Sequence, residues 1–178
     1  YRPKFNMTPE LFERVTRELF PHLEYAHLQG FGESVISPHW PRILDLCEAS
    51  AHKPALGLVT NLGRKDEEMW RRLVRMGVRI RFSCDGATRE TFEAIRRRGS
   101  FAMILENLEV IRKAAREAPG GGSTLAFNVT LQRRNVHEMP LFIELAARHE
   151  VREVQFAGVQ KNLPRTAPEA WATLFGTI

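Results

Sequence analysis

A chain of 178 residues, 43% hydrophobic and 26% charged, is long enough for one domain with a real core and short for two. No apolar run approaches the roughly 20 residues that a bilayer-crossing helix needs, so a membrane protein is not expected. The net charge of +5 comes from arginines grouped in Arg71-Arg72, Arg75, Arg79, Arg96-Arg97-Arg98 and Arg133-Arg134; these fall mostly on expected helix faces or ends without interleaved aromatics, so a solvated surface rather than a nucleic-acid interface is expected.

In chain order the hydrophobic period switches repeatedly between helix and strand. Thr8-Pro9-Glu10 is an N-cap followed by proline at the first helical position, and Leu11, Phe12, Val15 and Leu19 form the expected buried stripe. A strand is expected around Tyr25–Gln29, with His27 as a core histidine. Ser37-Pro38 signals a second helix through Ile43, Leu44 and Cys47, and Ala55–Thr60 reads as an apolar strand. Asp66 caps a third helix, with Glu67 and Glu68 in its first turn, Arg75 in its last, Gly77 beyond, and Met69, Trp70, Leu73 and Met76 inward. A strand over Val78–Cys84 leads to Asp85-Gly86, a short helix from Thr88 and a longer one from Ser100, which Pro119 and three glycines stop. Leu125–Leu131 is the next strand. Asn135 and Glu138 resemble a capping box for a helix that turns Leu141, Phe142, Leu145 and Ala146 inward, and Val154–Val159 is the last strand.

This alternation predicts an α/β fold, a parallel sheet with right-handed crossovers forming an open or partial (β/α) TIM-like barrel over residues 1–159. Residues 160–178 read as a linker or the start of a C-terminal extension. Five strands are too few to close an eight-stranded barrel, the Tyr25–Gln29 edge needs cover, and the first residue is not methionine. The expectation is that sequence upstream of Tyr1 is missing. Two cysteines, Cys47 and Cys84, fit neither a zinc spacing nor a disulfide framework, which predicts core thiols and a reducing, cytoplasmic compartment.

Ligands of parallel sheets bind at the carboxyl ends of the strands. There, Gly30-Phe31-Gly32-Glu33-Ser34 is either a tight turn or a place where backbone meets a ligand; Val35 stands where a dinucleotide fingerprint needs a third glycine. Ser83 and Asp85 share one side of an extended strand, fit to bind ribose hydroxyls or an amino acid group, or else simply to close a turn before Gly86. Thr60-Asn61 and Asn128 add polar groups, and Arg96 follows the short helix where its planar fork would meet a carboxylate or solvent.

Taken in order, these pieces resemble the radical SAM superfamily, particularly the branch with molybdenum-cofactor cyclases, the pyrroloquinoline quinone maturase and sulfatase-maturing enzymes. Gly30-Phe31-Gly32-Glu33 resembles the family's Gly-x-Gly-Glu-Pro turn, Thr60-Asn61 its Thr-Asn, and Ser83-Cys84-Asp85-Gly86-Ala87 its Ser-x-Asp-Gly-Ala. Ile95-Arg96, Gly99-Ser100-Phe101, Glu106-Asn107 and Asn135 with Glu138 resemble the segments that follow.

The resemblance implies an S-adenosylmethionine site in which Gly30, Gly32 and Glu33 hold the methionine amino group. It places Ser83 and Asp85 near ribose and carboxylate, with Asn128 and Arg96 as further contacts. It also implies a [4Fe–4S] cluster, an external electron donor, and a 5′-deoxyadenosyl radical that abstracts hydrogen from a small-molecule or peptide substrate, in peptide or cofactor maturation. Two departures stand out: Ser34 replaces the family's proline, and its Cys-x-x-x-Cys-x-x-Cys loop, which precedes the first helix, is absent. The parent protein is thus expected to be an enzyme, and this chain alone inactive. The alternatives are a degenerate, non-catalytic (β/α) binding module and a basic domain docking an acidic partner.

Overall fold

The computed structural model describes residues 6–30, 32–118 and 125–158. Five strands, β1 (Tyr25–His27), β2 (Ala55–Thr60), β3 (Arg79–Ser83), β4 (Leu125–Leu131) and β5 (Glu153–Gly158), pair in sequence order, and every pair is parallel. Consecutive parallel neighbours joined by right-handed crossovers put all helices on one side, so the sheet is an arc of a barrel rather than a doubly wound sheet. The helices are α1 (Pro9–Glu18), α2 (Trp40–Ala49), α3 (Glu67–Arg75), α4 (Arg89–Ile95), α5 (Phe101–Glu117) and α6 (Met139–Arg148).

Alternation along the strands explains the core. Leu58, Ile80, Phe82, Phe127 and Val129 point at the helices and are fully buried. Trp70 and Leu73 of α3 and Leu108 and Ile111 of α5 cover that layer. The other face carries Tyr25, His27, Arg79, Arg81, Ser83, Asn128, Glu153 and Gln155, a polar concave surface. Only one side of this arc is a hydrophobic core.

Helix starts follow their side chains. The Thr8, Asp66, Thr88 and Ser100 oxygens accept from backbone N–H groups at Leu11, Met69, Thr91 and Met103, so each satisfies a donor that the first helical turn cannot. Gly77, with φ of +69°, ends α3 as expected.

Several boundaries differ from the sequence expectation. The second helix starts at Trp40, with Pro41 in its first turn, because Ser34–Ile36 first form a short 3₁₀ turn. β1 stops at His27; Leu28 N still donates to Gly57 O, and then the Gln29 side chain accepts from Val59 N at 3.0 Å. A side chain thus extends the ladder after the backbone has turned away. In α1 the buried residues are Phe12 and Thr16, whereas Leu11 and Leu19 are 47% and 51% exposed. Leu141, expected inward, is exposed too, and only Phe142, Leu145 and Ala146 of that stripe are buried. His27 is exposed on the concave face beside Tyr25, ring centroids 4.7 Å apart, and is not a core residue. The expected strand over Val78–Cys84 is Arg79–Ser83, and the last begins at Glu153; Val159, the Pro119 stop and residues 160–178 lie outside the described residues.

Candidate functional site

The carboxyl ends of five parallel strands form one edge of the sheet, and the turns there hold most of the residues singled out in the sequence. Past β1, Gly32 adopts φ of +116°, a conformation that favours glycine, and among the described residues no heavy atom beyond the chain neighbours lies within 4 Å of a methyl group built at Gly30 or Gly32. This open turn borders a cavity of about 460 Å³ that Gln29, Ser37 and Trp40 also line. The indole Nε1 of Trp40 is buried and has no hydrogen-bond partner among the described residues.

Glu33 braces this turn. Its Oε1 accepts from the Thr60 hydroxyl and its Oε2 from Asn61 N, both at 2.7 Å, so one carboxylate ties the β1 and β2 ends together. Thr60 Oγ1 accepts in turn from Leu62 N at 3.1 Å. Arg64 spans the same region, pairing with Asp66 at 2.8 Å and donating to Val35 O. Buried Asn107, from α5, donates to Leu62 O and Arg64 O at 2.7 and 3.0 Å, which fixes the whole β2–α3 loop.

Asp85, just past β3, is 5% exposed. Its Oδ2 receives Arg96 Nε at 2.7 Å and Nη2 at 2.6 Å, while Oδ1 accepts from Thr130 N at 3.0 Å. Both carboxylate oxygens are therefore engaged within the protein. The fork holds Arg96 at the mouth with Nη1 left over, and its side chain is 37% exposed. Ser83, the last residue of β3, is in register with Asn128 of β4. Both are half-buried on the concave face, and neither side chain has a hydrogen-bond partner among the described residues. Among the expected site residues, Glu33 and Asp85 act as braces, while Gly30, Gly32, Ser83, Asn128 and Arg96 have free backbone or side-chain capacity.

Asn135 and Glu138 do not form the expected capping box. The helix after them, α6, has no side-chain cap, because both side chains reach across to the β3–α4 turn instead. Asn135, fully buried, donates to Asp85 O and Thr130 O and accepts from Gln132 N. Glu138, 2% exposed, accepts from Ala87 N at 2.8 Å and the Thr88 hydroxyl at 2.6 Å. Burial alone would raise its pKa, but the hydrogen bonds from Thr88, Thr91 and Ala87 outweigh it and hold the carboxyl below its ordinary value. These residues support the site from behind; the spacing was visible in sequence, but its long-range partners were not.

Both cysteines are buried. Burial, with Glu48 nearby, pushes the Cys47 thiol up to about 12, and burial with Asp85 beside it raises Cys84 further. Among the described residues no group of three or more His, Cys, Asp or Glu side chains is placed to hold a metal ion. The helix arginines are largely neutralised: Arg71, Arg72, Arg75, Arg112 and Arg116 all pair with carboxylates. No basic docking face is built from them.

Fold and site define a class, a singly wound parallel α/β partial barrel with a polar edge at the strand ends, where sheets of this kind bind ligands. A family profile described as the radical SAM superfamily matches residues 1–146, and the chain belongs to that superfamily. It is 30% identical, over 94% of its length, to the mycofactocin maturase MftC of Mycobacterium tuberculosis, and 32% identical over 79% to that of Mycobacterium ulcerans. The chain spans 41% and 37% of these two relatives. Among solved structures, native anSMEcpe with bound AdoMet matches with a TM-score of 0.69 at 14% identity, over 89% of this chain and 44% of that one. The same protein with AdoMet and the Cp18Cys peptide gives 0.71 at 13%, over 92% and 47%. TYW1 with a lysine-pyruvate adduct gives 0.57 at 13%, over 93% and 59%. At such identities these structures establish the shared fold. The superfamily couples S-adenosylmethionine to a [4Fe–4S] cluster.

Proposed function

We propose that this chain supplies the S-adenosylmethionine pocket of a radical SAM enzyme that acts on a peptide in a maturation reaction. The observation that carries this reading is the group of unspent polar capacity at one sheet edge: Ser83, Asn128 and the Arg96 fork held by Asp85, beside the Gly30–Gly32 turn. A zwitterionic amino acid joined to a nucleoside needs this mixture of acceptors, hydroxyl or amide groups, and a fixed cation. Carbonyl groups of the open glycine turn are suited to the ammonium, and the Arg96 guanidinium to the carboxylate. Ser83 and Asn128 are suited to the ribose or to the same carboxylate.

When bound with its cluster, S-adenosylmethionine supplies a 5′-deoxyadenosyl radical that removes a hydrogen atom from substrate. The described residues fit the nucleotide but not the cluster, so no step is assigned to the latter, and the isolated chain is expected not to turn over. The peptide assignment rests on the maturase relatives and on the peptide bound in the anSMEcpe structure. An external electron donor belongs to the same reading.

Isothermal titration of the chain with S-adenosylmethionine tests it. Saturable binding at one site is expected, weakened about tenfold or more by Arg96→Lys, which keeps the charge but loses the fork, and less by Ser83→Ala. Absence of binding, or binding indifferent to both substitutions, defeats the assignment.

A further inference from the structure

The concave face carries a second feature that the nucleotide pocket does not use. At its amino-terminal half, Tyr25, Arg79, Arg81, Arg152, Glu153 and Gln155 border a cavity of about 690 Å³. Three arginines face one carboxylate. Arg81 is held, donating to Gln155 Oε1 at 2.7 Å and pairing with Glu153 at 3.1 Å. Arg79 and Arg152 have no carboxylate partner among the described residues. Arginines of α3 and α5 lie against acidic neighbours, whereas Arg79 and Arg152 stand unpaired together in one concavity.

Arg79 is nevertheless positioned. Its guanidinium lies 5.8 Å from the centroid of the Tyr25 ring, a contact that orients the cation without neutralising it or using its N–H donors. The ring is set by Gly57 of the neighbouring strand: a methyl group there would fall 1.8 Å from Tyr25 Oη and 2.7 Å from Cζ. Only the bare backbone lets tyrosine lie across β2. Arg79, Arg81 and Ser83 alternate along one strand and share a face, which puts Arg81 about 7 Å and Arg79 about 13 Å from Ser83 along β3.

We propose that this arginine-lined floor binds a carboxylate, with Arg79 as its principal donor and Arg81, drawn partly by Glu153, as the second. The floor shares the concave face with the strand-end site, and on the functional reading above its carboxylate is assigned to the substrate; the anion site itself does not rest on that reading. A side-chain carboxylate and a chain-terminal one have the same chemistry and are separated by experiment.

Three dansyl-labelled pentapeptides on a Gly-Ala-X-Ala-Gly frame serve as probes in fluorescence anisotropy at low ionic strength. One has Glu at X and an amidated end, one Gln and a free carboxyl end, and one Gln and an amidated end. At least one carboxylate peptide is expected to bind about tenfold tighter than the neutral one, and which of them does so identifies the source. Arg79→Gln is expected to abolish that advantage and Glu153→Gln to increase it, since the latter removes the competing carboxylate from Arg81. Equal binding of all three, or an advantage that survives Arg79→Gln, overturns the inference. Circular dichroism of Arg79→Gln matching the parent chain establishes that the loss is not unfolding. If peptide discrimination is present while S-adenosylmethionine titration of the same preparation fails, the anion site stands and the functional reading falls.

Discussion

Asp85→Asn keeps an acceptor for Thr130 N but removes the charge that fixes the Arg96 fork. If Arg96 receives a ligand carboxylate, this substitution weakens S-adenosylmethionine binding about tenfold although residue 85 need not touch the ligand, and calorimetry reads the change directly. The sequence made Asp85 legible as a polar strand-end residue, yet not as a brace, because its partners lie 11 and 45 residues further along the chain. Glu33 was legible in the same incomplete way. Gly86 looked like an ordinary turn glycine, but its constraint is spatial: a methyl group there would lie 2.3 Å from Phe92 N and 2.5 Å from its Cα. Backbone of α4 cannot step aside as a flexible side chain can. Gly86→Ala is expected to cost about 2 to 3 kcal/mol, measured by urea unfolding.

Between elements, the β3–α4 turn is held from behind by the segment that leads into α6, and Glu138 is its buried charge. Its carboxyl sits below the ordinary value, so its stabilisation is fully present above the unfolded pKa of about 4.3 and is lost as pH falls through the lower, folded value. Glu138→Ala strands Ala87 N and the Thr88 hydroxyl and is expected to cost about 2 to 3 kcal/mol at neutral pH. The gap between parent and variant should shrink when unfolding is followed from pH 7 towards pH 3, since acid removes the same charge from the parent. A gap that widens in acid contradicts the assignment. Element order and most starts were readable because caps and periodicity are local: Thr8 and Asp66 cap as expected, and the helices expected from Thr88 and Ser100 are capped by those side chains. The Asn135–Glu138 segment misled because a local capping pattern and a long-range latch use the same residue types at the same spacing.

Across the whole molecule, the one-sided crossovers separate a hydrophobic layer under the helices from a polar hollow, and the two cysteines belong entirely to the first. Cys47 packs in α2 and Cys84 follows β3, where its thiol contacts Gly86 O at 3.7 Å. A cubane needs converging thiolates, whereas these thiols are buried, protonated and held in separate elements. Anaerobic treatment of this chain with iron and sulfide is therefore expected to give no stoichiometric [4Fe–4S] absorption. The double substitution Cys47→Ala, Cys84→Ala is expected to leave S-adenosylmethionine affinity within about twofold, since neither thiol faces the concave side. Cluster uptake that these substitutions abolish would require both cysteines to leave the core, and the division of the sheet into an apolar face and a polar face would then fail as an account of the molecule.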